Sequence, residues 1–232
     1  MSYYRRFAAQ TLKRGLKQPY VYLVSALFSF IAVLVMRKIG QVDLPARTLD
    51  FLGMAIIFNG FLPLCFISIY LCALPVFFVE KKQKTLTMLF CSPAGLGEIL
   101  WGKTTGLVLS AFIVPLLFML VSMAVFTPHV LASMASWKAL AAIMIVAVTA
   151  TAYTAIVGTA LLTAHDDRVI NIVVFALTLA QFWLTKLTQS AAGKSLFSGV
   201  LFQYAGIMCG FIAMAAAAYF LYLSKIRVVE SA

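Results

Sequence analysis

The chain has 232 residues, of which 63% are hydrophobic and only 11% are charged. An ordinary soluble domain carries about 25% charged residues, so this composition excludes a soluble enzyme and indicates an integral membrane protein. The formal net charge of +11 therefore reports on membrane topology, and we predict no nucleic-acid partner.

The first 18 residues form a basic amphipathic segment. Phe7, Leu12 and Leu16 stand among five cations, a pattern typical of a helix in the headgroup layer of an anionic leaflet. We predict a cytoplasmic amphipathic helix over residues 1–18 that contacts membrane lipid and enters the membrane near Pro19. The alternative is a set of cations that only anchors the topology.

Six long runs without Asp, Glu, Lys or Arg follow, with 17 to 34 residues each. A helix needs about 20 residues to cross roughly 30 Å of hydrocarbon, so each run supplies one span. The runs are Gln18–Met36, Phe51–Val79, Thr104–Trp137, Ala139–His165, Val169–Thr185 and Ser195–Ser224. The sequence predicts an all-α polytopic membrane protein with a six-span transmembrane domain over residues 19–232.

The distribution of Lys and Arg predicts the orientation in the membrane. If both termini are cytoplasmic, 12 of the 18 cations lie inside and six lie outside, as the positive-inside rule favours. Arg37, Lys38 and Arg47 in the first outside loop are the main exception. We predict that both termini are cytoplasmic.

The cytoplasmic connection after the second span, residues 80–98, is not an ordinary polar loop. Leu86, Leu89 and Phe90 fall at positions i, i+3 and i+4, which gives a short helix one apolar stripe. Pro93 would end that helix. An amphipathic helix of this kind requires a groove in another protein or a membrane on which to lie.

This connection resembles the hallmark segment of the ABC-2 family of transporter permeases. In that family Glu-Arg/Lys-x-x-Gly-Thr-Leu-Glu-x-Leu-x-x-x-Pro is followed by x-x-x-Ile-Leu-x-Gly-Lys at the start of the third span. The matching residues are Glu80, Lys81, Thr85, Leu86, Leu89 and Pro93, then Glu98, Ile99, Leu100, Gly102 and Lys103. Lys84 and Thr87 stand where the family commonly has glycine and glutamate.

The resemblance implies the permease subunit of an ATP-driven ABC exporter in the inner (cytoplasmic) membrane of a prokaryote. Two permeases would form the substrate pathway, as a homodimer or as a heterodimer with a related permease. The connection would contain the coupling helix that docks on a separate ABC ATPase subunit. The implied coupling residues are Glu80, Lys81, Thr85, Leu86, Leu89, Phe90 and Pro93. ATP and Mg²⁺ would bind to the ATPase, and this chain would carry no cofactor or metal and would not be an enzyme.

Residues 97–104 satisfy the letters of the phosphate-binding loop G-x-x-x-x-G-K-[ST]. That loop must follow a buried strand and open a helix of an α/β domain. Here the segment leads into a membrane span and has Ile99, Leu100 and Trp101 in its middle. We therefore reject nucleotide binding by this chain.

A few other polar residues are weaker candidates. Asp166, Asp167 and Arg168 lie in the predicted cytoplasmic loop between spans four and five, where we interpret them as a second contact with the ATPase rather than a metal site.

Three polar side chains stand within the predicted spans, and they are Asn59, Gln181 and Gln203. Such groups face another helix or a cavity, so they indicate interhelical hydrogen bonds or, as the alternative, a substrate pathway. The spacing Gly206-x-x-x-Gly210 in the last span predicts a packing face, either within the subunit or between subunits.

The main alternative function is a stand-alone secondary transporter or channel that is not powered by ATP. Such a protein should show inverted repeats or charges at membrane depth, and we find neither in the sequence. A membrane enzyme is disfavoured because the sequence has no recognisable set of catalytic groups.

Overall fold

The computed structural model describes residues 3–39, 56–80, 95–126, 137–163 and 198–222, with the single positions 128, 131 and 176. Every element in these ranges is helical, so the predicted all-α class is confirmed for the described residues. The α-helices are α1 (Tyr3–Leu16), α2 (Pro19–Ile39), α3 (Leu62–Ala73), α4 (Leu96–Phe126), α5 (Trp137–Thr163) and α6 (Ser198–Tyr222). Two π-helical segments, Ile57–Phe61 and Leu74–Val79, flank α3.

A tight turn at Lys17 and Gln18 separates α1 from α2. Lys17 N–H bonds to the carbonyl of Arg14, and Gln18 N–H bonds to the carbonyl of Gly15, both at 3.1 Å. The residue before a proline avoids helical backbone, whereas the proline itself is tolerated in the first turn of a helix. Pro19 therefore sets the boundary between the two helices, where the sequence predicted one.

The prolines of the second predicted span change its hydrogen bonding. Just before Pro63, Leu62 N–H bonds to the carbonyl of Ile57, five residues back. The second π segment begins at Leu74 and contains Pro75. Proline donates no N–H and its ring obstructs the carbonyl four residues earlier. The helix widens at both sites and continues.

Among the described residues, two helices are long and apolar enough to cross a membrane. The qualifying stretches are Gly97–Phe126, with 30 residues and a mean hydropathy of 2.6, and Trp137–Leu162, with 26 residues and a mean hydropathy of 2.2. In α5 the hydroxyl of Thr154 bonds to the carbonyl of Ala150 at 2.7 Å, so this polar side chain needs no water. The coarse prediction of membrane association agrees with these two helices.

The core lies where α3, α5 and α6 meet. Phe66 of α3 stacks on Tyr153 of α5 with ring centroids 4.0 Å apart, and it meets the edge of Phe211 of α6 at 5.6 Å. All three side chains are buried. Because α4 packs against α1, α2, α3 and α5, it connects the N-terminal helix to this core.

The outward face of α4 is apolar. Leu117, Val121 and Val125 follow one another at four-residue spacing, and they are 56%, 62% and 66% exposed. Soluble monomers rarely expose a continuous apolar stripe of this kind. Hydrocarbon would solvate this face better than water.

Candidate functional site

One of the predicted coupling residues, Glu80, is described, and it follows the second π segment directly. The remaining coupling residues, the residues of the predicted second contact and one pathway residue lie outside the described residues. They are Lys81, Thr85, Leu86, Leu89, Phe90, Pro93, Asp166, Asp167, Arg168 and Gln181. Asn59 lies in the first π segment and Gln203 lies in α6. The coupling, contact and pathway roles of these residues stay predictions.

The structure brings the positions of Asn59 and Gln203 to one level of the helix bundle. Their chain neighbours Phe58 and Tyr204 stack with ring centroids 3.6 Å apart and planes 3° from parallel. Two of the three predicted pathway positions therefore lie on neighbouring segments that are in contact.

Glu80 is the centre of an ion cluster that joins three parts of the chain. Its Oε1 accepts a hydrogen bond from Nη1 of Arg14 on α1, and its Oε2 accepts one from Nζ of Lys103 on α4. The same Nζ donates to the backbone carbonyl of Val76 at 3.2 Å. The Arg14–Glu80–Lys103 cluster thus ties both sides of the predicted coupling connection to each other and to the N-terminal helix.

Burial makes the interactions of Lys103 strong. The side chains of Lys103 and Glu80 are 3% and 10% exposed, whereas that of Arg14 is 50% exposed. Removing an ion from water is costly and is offset only when the charge is paired and hydrogen-bonded. The ring of Phe77, with its centroid 5.7 Å from Nζ, adds a cation–π contact. Without Glu80, the ammonium group would be a buried charge with no carboxylate.

The chemistry of the cluster is suited to holding helices together. Both carboxylate oxygens of Glu80 accept hydrogen bonds from cationic side chains, one on α1 and one on α4. Within the described ranges, no group of three or more His, Cys, Asp or Glu side chains comes together to bind a metal.

Very close packing of α1 on α4 brings Arg14 to the cluster. A Cβ added at Gly102 would lie 2.8 Å from the Cβ of Phe7, and one added at Gly106 would lie 2.5 Å from the carbonyl oxygen of Ala8. Real Cβ atoms essentially never approach other atoms within 3.0 Å. A larger residue at Gly102 or Gly106 would therefore push α1 away.

The contact between α1 and α4 includes Thr105, between these two glycines, and continues beyond them to Ser110. The hydroxyls of Tyr4 and Thr105 share a hydrogen bond of 2.8 Å, and a Cβ added at Gly15 would lie 2.2 Å from Oγ of Ser110. Residue numbers rise together along this interface, so the two helices run in the same direction. Sequence reasoning missed the interface, although Gly102 begins a G-x-x-x-G spacing, which is typical of close helix contacts.

The segment with the letters of a phosphate-binding loop is part of α4. Ile99 N–H bonds to the carbonyl of Gly95 at 3.1 Å, and the Glu98 carboxylate accepts from Gly95 N–H at 3.3 Å, so the segment is the capped first part of a helix. A phosphate loop presents free backbone N–H groups and an available lysine. The geometry of residues 97–104 is different, because Lys103 is buried against Glu80. The wider expectation that the chain binds no nucleotide stays a prediction.

An apolar groove of about 440 Å³ lies apart from the ion cluster, between the start of α4 and the faces of α5 and α6. Trp101 and Tyr219 approach each other in its wall with ring centroids 6.4 Å apart. The other lining residues are Val148, Thr151, Ala152, Ala155, Ile212, Ala215 and Ala216.

No family model matches the chain, and no curated protein matches it. The resemblance to ABC-2 permeases therefore depends on the motif residues and on the helical pattern of the chain.

Proposed function

We propose that the chain is the membrane-spanning permease subunit of an ATP-driven ABC exporter in a prokaryotic inner membrane. The observation that carries the proposal is the ion pair between Glu80 and Lys103. Both residues are motif positions of the ABC-2 resemblance, and they stand on either side of the connection that the family uses for coupling. In this proposal the chain has six spans and two cytoplasmic termini, and it forms the substrate pathway with a second permease copy.

The proposed mechanism transfers a movement of the partner ATPase to the membrane helices. ATP and Mg²⁺ bind to the ATPase, and closure of two ATPase subunits displaces the coupling segment, residues 80–98. Glu80 is the last described residue of the helical stretch that contains α3, and Lys103 lies in the first part of α4. Their ion pair therefore makes the two helices move together. Rigid-body movement of paired helices is an established way to switch access to a cavity.

The coupling role is tested by Leu89→Asp, with Thr87→Ala as the matched variant off the apolar stripe. Removal of a buried interface anchor commonly costs about 2 kcal/mol, which corresponds to roughly thirtyfold weaker binding. We expect Leu89→Asp to reduce copurification of a stoichiometric ATPase, or to abolish its stimulation by the permease, with normal insertion into the membrane. Thr87→Ala should be milder.

Full ATPase binding and stimulation by the Leu89→Asp variant would contradict the coupling role. Proton-driven flux through the purified chain alone, with no associated ATPase, would favour a secondary transporter or channel.

The proposed orientation is tested by Gln83→Cys in a cysteine-free background. Because the excess of cations places residues 80–98 inside, this thiol should resist an impermeant reagent in intact cells and react after lysis. Equal reaction of this thiol in intact and in permeabilised cells would show that residues 80–98 lie outside, which is the reverse of the proposed orientation. The native cysteines replaced in this background are Cys65, Cys72, Cys91 and Cys209.

A further inference from the structure

The second π segment, Leu74–Val79, ends with an irregular hydrogen bond. The N–H of Glu80 bonds to the carbonyl of Phe77, three residues back. In a regular α-helix the same N–H would bond to the carbonyl of Val76. That carbonyl instead accepts a hydrogen bond from Nζ of Lys103 at 3.2 Å. The lysine thus donates to the carbonyl that the Glu80 N–H would use in the α-helical form, in which the two donors would have to share it.

Few groups in the described part of the chain stabilise the charge of Lys103. The residue is 2% exposed, and its partners among the described residues are the Val76 carbonyl, the Glu80 carboxylate and the ring of Phe77. A buried ammonium group needs hydrogen-bond acceptors, and the π form of Leu74–Val79 presents one to it. The π form and the position of Lys103 therefore stabilise each other.

A π segment holds one residue more than the α-helical turns that it replaces. Conversion to α-helix would rotate the following residues by about 100° and shift them by about 1.5 Å. Val79 would then point in the direction now taken by Glu80, and Glu80 would leave its place between Arg14 and Lys103. The direction in which the chain leaves this helix depends on which form is present.

We propose that Lys103 is a positioning residue that holds the Leu74–Val79 segment in its π form and so sets the register with which the chain enters the predicted coupling connection. The structural part of this inference stands on the contacts of Lys103. Its consequence for coupling rests on the proposed function as an ABC permease.

The register can be measured by the reactivity of two introduced thiols, Val79→Cys and Val76→Cys, in the cysteine-free background. Val79 is 42% exposed and Val76 is 2% exposed. A maleimide should therefore label the purified permease in detergent rapidly at position 79 and slowly at position 76. Position 76 is the control for local unfolding, because it should stay protected in both the π and the α form.

Lys103→Met removes the donor to the Val76 carbonyl, and we expect labelling at Val79→Cys to fall about fivefold. This is roughly the ratio between the present 42% exposure of Val79 and that of a buried side chain. Val76→Cys should remain slow. Lys103→Arg keeps a charged donor and should retain most of the rapid labelling at position 79.

The double variant Glu80→Gln, Lys103→Met removes both members of the buried pair, so it addresses the case in which Lys103→Met does not fold. We expect it to show the same slow labelling at Val79→Cys, because it also lacks the lysine donor. Rapid labelling at position 79 in the double variant, with position 76 protected, would overturn the inference. Rapid labelling at both positions would also overturn it, because the segment would then unfold rather than convert to an α-helix.

The consequence for coupling has a separate readout. The double variant should still copurify with an ATPase, but the stimulation of hydrolysis by the permease should fall about tenfold, the size of a typical coupling between two sites. Lys103→Arg should retain most of the stimulation. If the double variant is labelled slowly at position 79 but the permease binds no ATPase, the proposed function is contradicted and the role of Lys103 is not. If labelling at position 79 is unchanged in the double variant while the permease still stimulates an ATPase, the role of Lys103 is contradicted and the proposed function is not.

Discussion

Two glycine pairs with the same spacing have opposite environments in this protein. Gly102 and Gly106 of α4 lie against the backbone of α1, where an added Cβ would clash. Gly206 and Gly210 of α6 have no described atom within 4 Å of an added Cβ. The first pair is a filled helix interface, and the second is an open face in the described part of the chain.

A small-residue spacing thus permits close packing without specifying the partner. Close approach requires a second helix that has its own small residues and an attractive interaction with the first helix, since the hydrophobic effect does not drive helix association in lipid. α1 provides both, through Ala8 and Gly15 at the interface and through the bond from Arg14 to Glu80. The described part of the chain offers no such contact to the glycines of α6.

The largest effect should come from the charges that accompany the filled interface. Glu80→Ala leaves the ammonium of Lys103 buried without a carboxylate, and breaking such a pair commonly costs about 3–5 kcal/mol. The free energy of unfolding in detergent should fall accordingly. Glu98→Gln at the exposed start of α4 is the control, with an expected change within about 0.5 kcal/mol. Equal stability of the two variants would show that close packing alone holds α1.

A smaller effect should separate the two glycine pairs directly. Gly106→Ala forces a methyl group against the Ala8 carbonyl, and overpacking of this kind typically costs about 1–3 kcal/mol. Gly210→Ala should change the unfolding free energy of the monomer by no more than about 0.5 kcal/mol. Equal losses of unfolding free energy in the two variants, measured on a monomeric preparation, would contradict the difference between the two glycine pairs.

The smallest effect concerns the exposed end of the same interface. Tyr4→Phe removes the hydrogen bond to Thr105, and a bond of this kind contributes about 0.5–1.5 kcal/mol, with the lower value expected at an exposed site. Tyr3→Phe, one residue away on the exposed surface of α1, is the matched control. A midpoint of thermal unfolding that is lower for Tyr4→Phe than for Tyr3→Phe would support the contact, and identical midpoints would contradict it.

Several features of the fold could be predicted because their causes are local. Pro19 ends one helix and begins the next through its own ring, and the N-terminal helix ends near the predicted position. The apolar runs Thr104–Trp137 and Ala139–His165, which cover most of α4 and α5, follow from composition over about 20 residues. Pro63 and Pro75 each remove a backbone donor locally, but the π segments beside them were not predicted, because the form that the helix takes depends on the side chains that pack around the released carbonyl groups.

The candidate site could be predicted only in part. Glu80 and Lys103 were identified as motif residues, and Glu80 was assigned to ATPase coupling, a role that stays a prediction. Their mutual bond, and the place of Arg14 beside them, were not predicted. Glu80 is 66 residues from Arg14 and 23 residues from Lys103, and no periodic pattern reports on pairs so far apart in the chain.

The sequence by itself determined where the apolar runs and the charges lie along the chain. A membrane protein and the all-helical class of the described residues could be predicted from it, because the transfer of apolar residues out of water and the exclusion of charges from hydrocarbon act residue by residue. The tertiary structure alone decided which charges meet, which glycine pair is filled and where a proline widens the helix. Those outcomes depend on distances between helices. A buried ammonium group such as that of Lys103 binds the carboxylate and the carbonyl that the packed helices bring close to it.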